Sequence, residues 1–176
     1  MKKIILIGII ILLLIIILIV LVGAYIFFNP FAHKPETSFT NKTINKTTVG
    51  IEQINLILYN IKAYELHNVP LSSNTPKIEF IIGNEAYNTE IIKGSIITKK
   101  GEIENEDIGI IASKEEFIKI LNSENLKQAL QESVNQGNTR LETFAGNTKL
   151  LAKGYLSLYK EITGKSFTGD VVKILK

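Results

Sequence analysis

The chain of 176 residues carries 20 basic and 17 acidic side chains, a net charge of +3, and 45% of its residues are hydrophobic. Residues 1–49 hold five lysines and one glutamate, so the rest of the chain holds fifteen basic and sixteen acidic side chains. This balance excludes a basic surface for nucleic acid, and we expect no nucleic-acid partner. The absence of cysteine excludes disulfides, thiolate metal sites and a cysteine nucleophile. With only two histidines, which lack metal-ligand spacing, we expect no metal site and no cofactor.

Residues 1–28 predict a transmembrane signal anchor. The 25 residues from Ile4 to Phe28 contain no charged side chain. As a helix they would be roughly 37 Å long, which exceeds the ~30 Å hydrocarbon core of a bilayer. A cleaved signal peptide is the alternative interpretation, but its apolar core needs only ~7 to 15 residues. The length of the run therefore favours an anchor that is retained.

The lysines near the apolar run predict its orientation. Lys2 and Lys3 flank it closely, so the positive-inside rule predicts a single-pass anchor in the cell membrane, with the N-terminus on the inner side and the C-terminal domain on the extracytoplasmic side. Residues 29–50 are polar and without period, which is typical of a flexible linker. The glycosylation sequons that begin at Asn41 and Asn45 agree with an extracytoplasmic domain, although such matches also arise by chance in Asn- and Thr-rich spacers. The sequence thus predicts the membrane bilayer as a partner.

The remainder, residues 51–176, predicts one α+β domain. Apolar side chains at helical spacing predict a helix over 51–66. Alternating apolar and polar residues then predict strands at 77–82, 87–93, 95–98 and 108–112. The short connections between them predict an antiparallel meander, with an acidic, solvated loop over 102–107 before the fourth strand.

The second half of the domain predicts three helices and one or two further strands. Ser113 and Glu116 form a capping box that opens the first of these helices. The other predicted features follow in chain order: a second helix capped by Asn122 or Ser123, a strand over 139–145, a third helix from Asn147 that ends at Gly164, and a possible strand over 171–175. The buried face of the third helix is predicted to consist of Leu150, Leu151, Tyr155, Leu158, Tyr159 and Ile162. We interpret Lys153 of the same helix as a snorkelling lysine and Tyr155 and Tyr159 as core residues.

Three motifs in this order point to a known family. In the first motif, over 107–117, a strand led by an acid runs into a Ser-capped, Glu-rich helix. In the second, a small residue and a glycine within 133–137 precede the strand at 139–145. In the third, Gly146-Asn147 forms the turn into the last helix. In these respects residues 77–163 resemble the sterol carrier protein (type two) lipid-binding domain. The resemblance implies a five-stranded, mostly antiparallel sheet covered by helices, with an apolar tunnel for a lipid.

The resemblance also implies which residues would contact a lipid. They are the apolar positions of the matching strands and helices: Phe80, Ile82, Ile110, Phe117, Leu121, Leu126, Leu130, Phe144, Leu151 and Tyr155. For each of them a place in the packed core is the simpler interpretation.

The function predicted from the sequence is a membrane-tethered, non-enzymatic domain that binds a fatty acyl or isoprenoid-type ligand. The alternative is a membrane-anchored interaction or scaffold domain with a fully packed core and no ligand. An enzyme is not expected, because the sequence has no nucleophile elbow, no nucleotide-binding glycine pattern and no phosphate loop.

Overall fold

The computed structural model describes residues 2–28, 46–69 and 72–165. Most of the predicted linker, both sequon asparagines and the possible strand over 171–175 lie outside the described residues. The chain divides into two compact units, of which the first is the N-terminal helix and its flank.

Helix α1 extends over Lys2–Phe28 and forms the first unit. Within the described residues, no helix combines the length and the apolar character that a membrane crossing requires. The transmembrane span predicted from residues 1–28 is therefore not supported by the structure.

The second unit is an α+β domain built on a five-stranded mixed sheet, which confirms the predicted fold class at this level. Its strands are β1 Lys77–Ile82, β2 Glu85–Ile92, β3 Ser95–Lys100, β4 Ile108–Ala112 and β5 Thr139–Thr143. They lie in the order β3-β2-β1-β4-β5, and each neighbouring pair is antiparallel except β1 and β4.

The predicted meander is wrong for the fourth strand. Strand β4 does not pair with β3 but lies parallel to β1, with Phe80 opposite Ile110. The connection over 101–107 crosses the face of β1, where the Ile103 N–H donates to Glu79 Oε1 at 3.3 Å. Seven extended residues reach about 23 Å, more than the ~14 Å spanned by three strand spacings. Seven residues are therefore enough for a crossover, even though this connection contains a turn at residues 104–105, where Asn105 has φ of 58°.

The helices of this unit cover one face of the sheet. They are α2 Ile51–Asn60, α3 Lys114–Asn122, α4 Leu126–Gln136, α5 Asn147–Ala152 and α6 Tyr155–Thr163, with a 3₁₀ turn at Ala63–Glu65. The helix predicted over 51–66 ends early because Lys62 adopts a left-handed conformation, with φ of 56°.

The helix caps confirm one prediction and correct another. Ser113 Oγ accepts a hydrogen bond from the Glu116 N–H at 3.1 Å, as the capping box predicts. The cap of α4 is Asn125, whose Oδ1 accepts from the Gln128 N–H at 3.1 Å. Ser123 instead terminates α3, with its hydroxyl donating to the Ile120 carbonyl. The two helices are thus separated by a longer turn than predicted.

The predicted third helix is broken into α5 and α6 at Lys153 and Gly154. Gly154 has φ of 85°, a region that side chains rarely adopt, and a Cβ there would lie 3.3 Å from His67 Nε2. Gly164 ends α6 in the left-handed conformation, which confirms the predicted C-terminal glycine.

The hydrophobic core lies between the sheet and the helices. Alternate strand residues such as Ile78, Phe80 and Ile110 face Ile54 and Ile120 of the helices. All five are at most 2% exposed. This packing holds β1, β2 and β4 firmly against the helices, while β5 lies at the edge of the sheet.

Candidate functional site

An apolar cleft opens between the edge of the sheet at β4–β5 and the pair α5–α6. It has a volume of about 90 Å³, or about 590 Å³ when the solvent-filled space at its mouth is included. Its lining is formed almost entirely by apolar atoms, from Ile108, Leu141, Thr143, Asn147, Leu150, Leu151, Tyr155, Leu156, Leu158, Tyr159 and Ile162.

The sequence periodicities of the two walls explain why they are apolar. On the sheet, Ile108 lies opposite Thr143 and Ile110 opposite Leu141, so these side chains share the face that looks toward the helices. On α6, Tyr155, Leu158 and Ile162 recur at three- and four-residue spacing and form one stripe. The cleft lies where this stripe meets the edge strand.

Of the ten positions implied by the resemblance to contact a lipid, the structure brings only Leu151 and Tyr155 into the cleft. Leu126 packs, partly buried, against the core. The others that are buried belong to the core and do not line the cleft: Phe80, Ile82, Ile110, Phe117, Leu121 and Leu130.

Phe144 lies on the opposite face of the sheet. Its ring packs on Gly109, where a Cβ would come within 3.1 Å of Phe144 Cε2, and the side chain is 51% exposed. Because successive strand residues alternate between faces, the residue after Thr143 cannot point into the cleft.

Sequence reasoning missed most of the cleft lining. The stripe on α6 was visible, since Leu158, Tyr159 and Ile162 were assigned to a buried helix face. Ile108 and Leu141 gave no comparable signal, because their role depends on β5 being the edge strand.

A buried ionic cluster adjoins the cleft and shares Tyr155 with its lining. Asp107 and Lys153 both have 0% of their side chains exposed, and Lys153 Nζ lies 2.7 Å from Asp107 Oδ2. The ammonium also donates to the Thr75 carbonyl at 2.6 Å and to Asn74 Oδ1 at 3.1 Å. The interpretations of Lys153 as a snorkelling lysine and of Asp107 as part of a solvated loop are therefore wrong.

Further donors converge on the same carboxylate. Lys149 Nζ lies 2.9 Å from Asp107 Oδ1, while Oδ2 accepts from the Lys77 N–H at 2.9 Å and from the Tyr155 hydroxyl at 3.1 Å. The same hydroxyl lies 3.2 Å from the Lys77 carbonyl. One aspartate thus connects the start of β1 with α5, α6 and the junction between these helices.

The environment of the cluster fixes its charge states. Burial alone raises the pKa of Asp107, but the hydrogen bonds from Lys149 and Lys153 and from the Lys77 N–H outweigh it and hold that pKa below its usual value. Burial, followed by the charge of Asp107, raises the pKa of Tyr155 well above its usual value. Asp107 is therefore an anion and Tyr155 a neutral donor.

The arrangement leaves this cluster little scope for chemistry. Each of its charged groups already contacts an opposite charge, and the Tyr155 hydroxyl is engaged by Asp107 and Lys77. Across residues 46–69 and 72–165, no set of three His, Cys, Asp or Glu side chains is placed to hold a metal ion. The cluster is a structural cross-link beside a cleft that can accept an apolar group.

Comparisons with known proteins find solved structures whose similarity to this chain is low. No protein-family model matches the chain, and no curated protein matches it. A double mutant of the sec-alkyl sulfatase PisA1 is 12% identical with a TM-score of 0.41, over 76% of this chain but only 19% of the sulfatase chain. Palmitated SCP2L2 from Aedes aegypti is 15% identical with a TM-score of 0.39, over 68% of this chain and 99% of that one.

A third similar structure is the UbiJ-SCP2 ubiquinone synthesis protein. It is 9% identical with a TM-score of 0.32, over 61% of this chain and 97% of that protein. Solved structures that resemble the chain thus include sterol carrier protein 2-like proteins.

Proposed function

We propose that the domain binds the end of an apolar chain, such as a fatty acyl group, in the cleft between β5 and α6, without performing chemistry on it. The observation that carries the proposal is the cleft itself, whose lining is almost entirely apolar and whose mouth opens to solvent. Binding of an apolar ligand to such a surface is favourable, because it removes apolar area of both ligand and protein from water.

The size of the cleft limits how much of a chain it encloses. A volume of about 90 Å³ is smaller than the ~150 Å³ cavity that holds a benzene molecule. Only a few methylenes fit, each contributing about 0.8 kcal/mol on burial. The rest of the chain would lie in the mouth, against Leu151 and Leu156, where apolar side chains continue the surface.

The polar groups beside the cleft support a binding role rather than catalysis. The Tyr155 hydroxyl is the polar end of a lining residue, and it is engaged by Asp107 and Lys77. A general acid or base must instead be free to reach a proton on the substrate.

Photo-crosslinking tests this proposal directly. The full-length chain, reconstituted in phosphatidylcholine nanodiscs, would be irradiated with palmitic acid that carries a diazirine at its terminal carbon, and labelled peptides would be mapped by mass spectrometry. We expect labels on β5, α5 and α6. Leu151→Lys places a charge in the mouth, at a side chain that is 49% exposed, and we expect it to reduce the labelling by about 10-fold or more.

The matched control is Ile97→Lys. Ile97 is 40% exposed on β3 and outside the cleft, so the same new charge there should leave the labelling unchanged. Equal losses in both variants, or labels confined to other elements, would exclude the cleft as the binding site.

The small volume favours one alternative, an interaction or scaffold domain that takes no ligand. Ligand pockets usually exceed ~300 Å³, and most of the implied lipid-contact residues pack in the core here. A chain that folds normally but shows no labelling of β5, α5 or α6 would support this alternative.

We further propose that residues 1–28 tether the domain to the cell membrane, with the N-terminus inside. The support is the uncharged run from Ile4 to Phe28 and the two lysines that precede it. A tether would keep the cleft close to bilayer lipids, so that an apolar chain need not cross water.

Alkaline carbonate extraction and protease accessibility test the tether. We expect the full-length chain to stay in the membrane pellet, and added protease to digest the domain in intact cells. Release into the supernatant would contradict the tether, and a protected domain would contradict the orientation.

A further inference from the structure

The buried ionic cluster is in direct contact with the wall of the cleft. Asp107 immediately precedes Ile108, and Lys149 immediately precedes Leu150, both of which line the cleft. Tyr155 contributes its ring to the lining and its hydroxyl to Asp107 Oδ2. The Asp107 carboxylate therefore holds one lining residue, Tyr155, by a direct contact. Two others, Ile108 and Leu150, are held through their chain neighbours Asp107 and Lys149.

We infer that Asp107 is a positioning residue that fixes the width of the cleft, so that the cleft selects unbranched over methyl-branched apolar chains. This inference rests on the proposed binding function and names the chemical class of chain that the cleft accepts.

The contacts of Asp107 connect both walls of the cleft. On the helix side it holds Lys149 of α5, Lys153 of the α5–α6 junction and Tyr155 of α6. On the sheet side its backbone carbonyl accepts from the Phe144 N–H at 3.0 Å and the Ala145 N–H at 3.1 Å, just beyond β5. The walls cannot separate beside Asp107 unless some of these contacts break.

Because the cleft is small, the distance between its walls determines whether a straight or a branched ligand chain fits. A straight chain presents one methylene after another, whereas a methyl branch needs additional space to the side. In a well-packed apolar site, such a group is accommodated only by shifts of the surrounding side chains and backbone. A cleft of about 90 Å³ whose walls are connected through the buried Asp107–Lys153 pair resists such shifts.

The competing explanation is that the cluster only stabilises the fold. A purely structural role would lower the fraction of folded protein and weaken the binding of every ligand by the same factor. A positioning role changes the ratio between two ligands, and that ratio does not depend on how much protein is folded.

The experiment measures this ratio in the full-length chain in phosphatidylcholine nanodiscs. Unlabelled palmitic acid and a tetramethyl-branched hexadecanoic acid would each compete with the diazirine-bearing palmitic acid for labelling of β5, α5 and α6. We expect palmitic acid to compete at least ~10-fold better in the unmodified chain, the usual discrimination that a hydrophobic pocket makes for an extra carbon group.

Two variants should bring this ratio close to one. Tyr155→Phe removes the hydroxyl contact and keeps the ring. The double change Asp107→Leu with Lys153→Met removes the buried pair, and the only charge that it leaves without this partner is that of Lys149, whose side chain is 31% exposed. Ile97→Lys, on β3, should keep the ratio of the unmodified chain.

The outcomes separate this inference from the proposed function. Labelling of the cleft with a ratio near one in the unmodified chain, or with an unchanged ratio in both variants, would overturn the role of Asp107 and leave the binding function standing. Absence of labelling in the unmodified chain would overturn both.

Discussion

Replacing Asp107 by alanine is expected to lower the free energy of unfolding by about 3–5 kcal/mol. The substitution leaves the Lys153 ammonium, which is 0% exposed, without its ionic partner, and an uncompensated buried charge is costly. The contacts with Lys149, Tyr155 and the Lys77 N–H are lost as well. The measurement is urea unfolding of the full-length chain in non-ionic detergent, followed by far-ultraviolet circular dichroism.

Two controls distinguish the buried charge from the loss of side-chain volume. The double change Asp107→Leu with Lys153→Met removes both charges and should cost less than Asp107→Ala alone. Lys119→Ala removes a lysine that is 70% exposed from its pair with Glu116 on α3 and should cost less than about 0.5 kcal/mol. If Asp107→Ala costs no more than Lys119→Ala, the buried cluster does not stabilise the fold.

Two phenylalanines that the family resemblance treats alike are expected to behave very differently. Phe80 is 0% exposed at the centre of the sheet, and Phe80→Ala should lower the free energy of unfolding by about 3–5 kcal/mol. Phe144 is 51% exposed on the other face, and Phe144→Ala should cost only about 1 kcal/mol because about half of the side chain remains in solvent.

The same urea titration measures both substitutions, and each variant is the control for the other. Neither residue lines the cleft, so the ratio between palmitic acid and its branched analogue should be unchanged in Phe144→Ala. Equal stability losses in the two variants would show that Phe144 packs in the core and not on the outer face of the sheet.

Local signals in the sequence predicted much of the fold. The bounds of β1 and β4 follow from alternating residues flanked by turn signals, and the structure confirms them at 77–82 and 108–112. The cap at Ser113 and the terminal glycine at Gly164 were also predicted, because both depend only on neighbouring residues.

The pairing of β4 with β1 could not be predicted in the same way. It depends on the path of residues 101–107 across the face of β1, and nothing in the composition of this segment distinguishes a short crossover from a hairpin connection. Lys153 shows the same limit. A lysine on an amphipathic helix usually reaches solvent, and only the position of Asp107, 46 residues earlier in the chain, brings it into the interior.

The candidate site was predicted only in part for a related reason. Helical spacing identified the apolar stripe of α6, which does line the cleft. The strand residues of the cleft depend on which strand is at the edge, a property of the whole sheet. Tyr155 shows both the predictable and the unpredictable part of the site. The position of its ring follows from the helix pattern, whereas the hydrogen bond of its hydroxyl to Asp107 depends on the tertiary fold.

The order of the strands also bears on how copies of this protein avoid joining edge to edge. Strand β3 is one outer strand, and Lys99 and Lys100 lie at its end, with Lys93 in the turn before it. Positive charges on an outer strand repel a second copy of that strand. The other outer strand, β5, has only five residues and offers little length for pairing with another chain. The lysines of β3 and the short length of β5 thus both disfavour aggregation through the edges of the sheet.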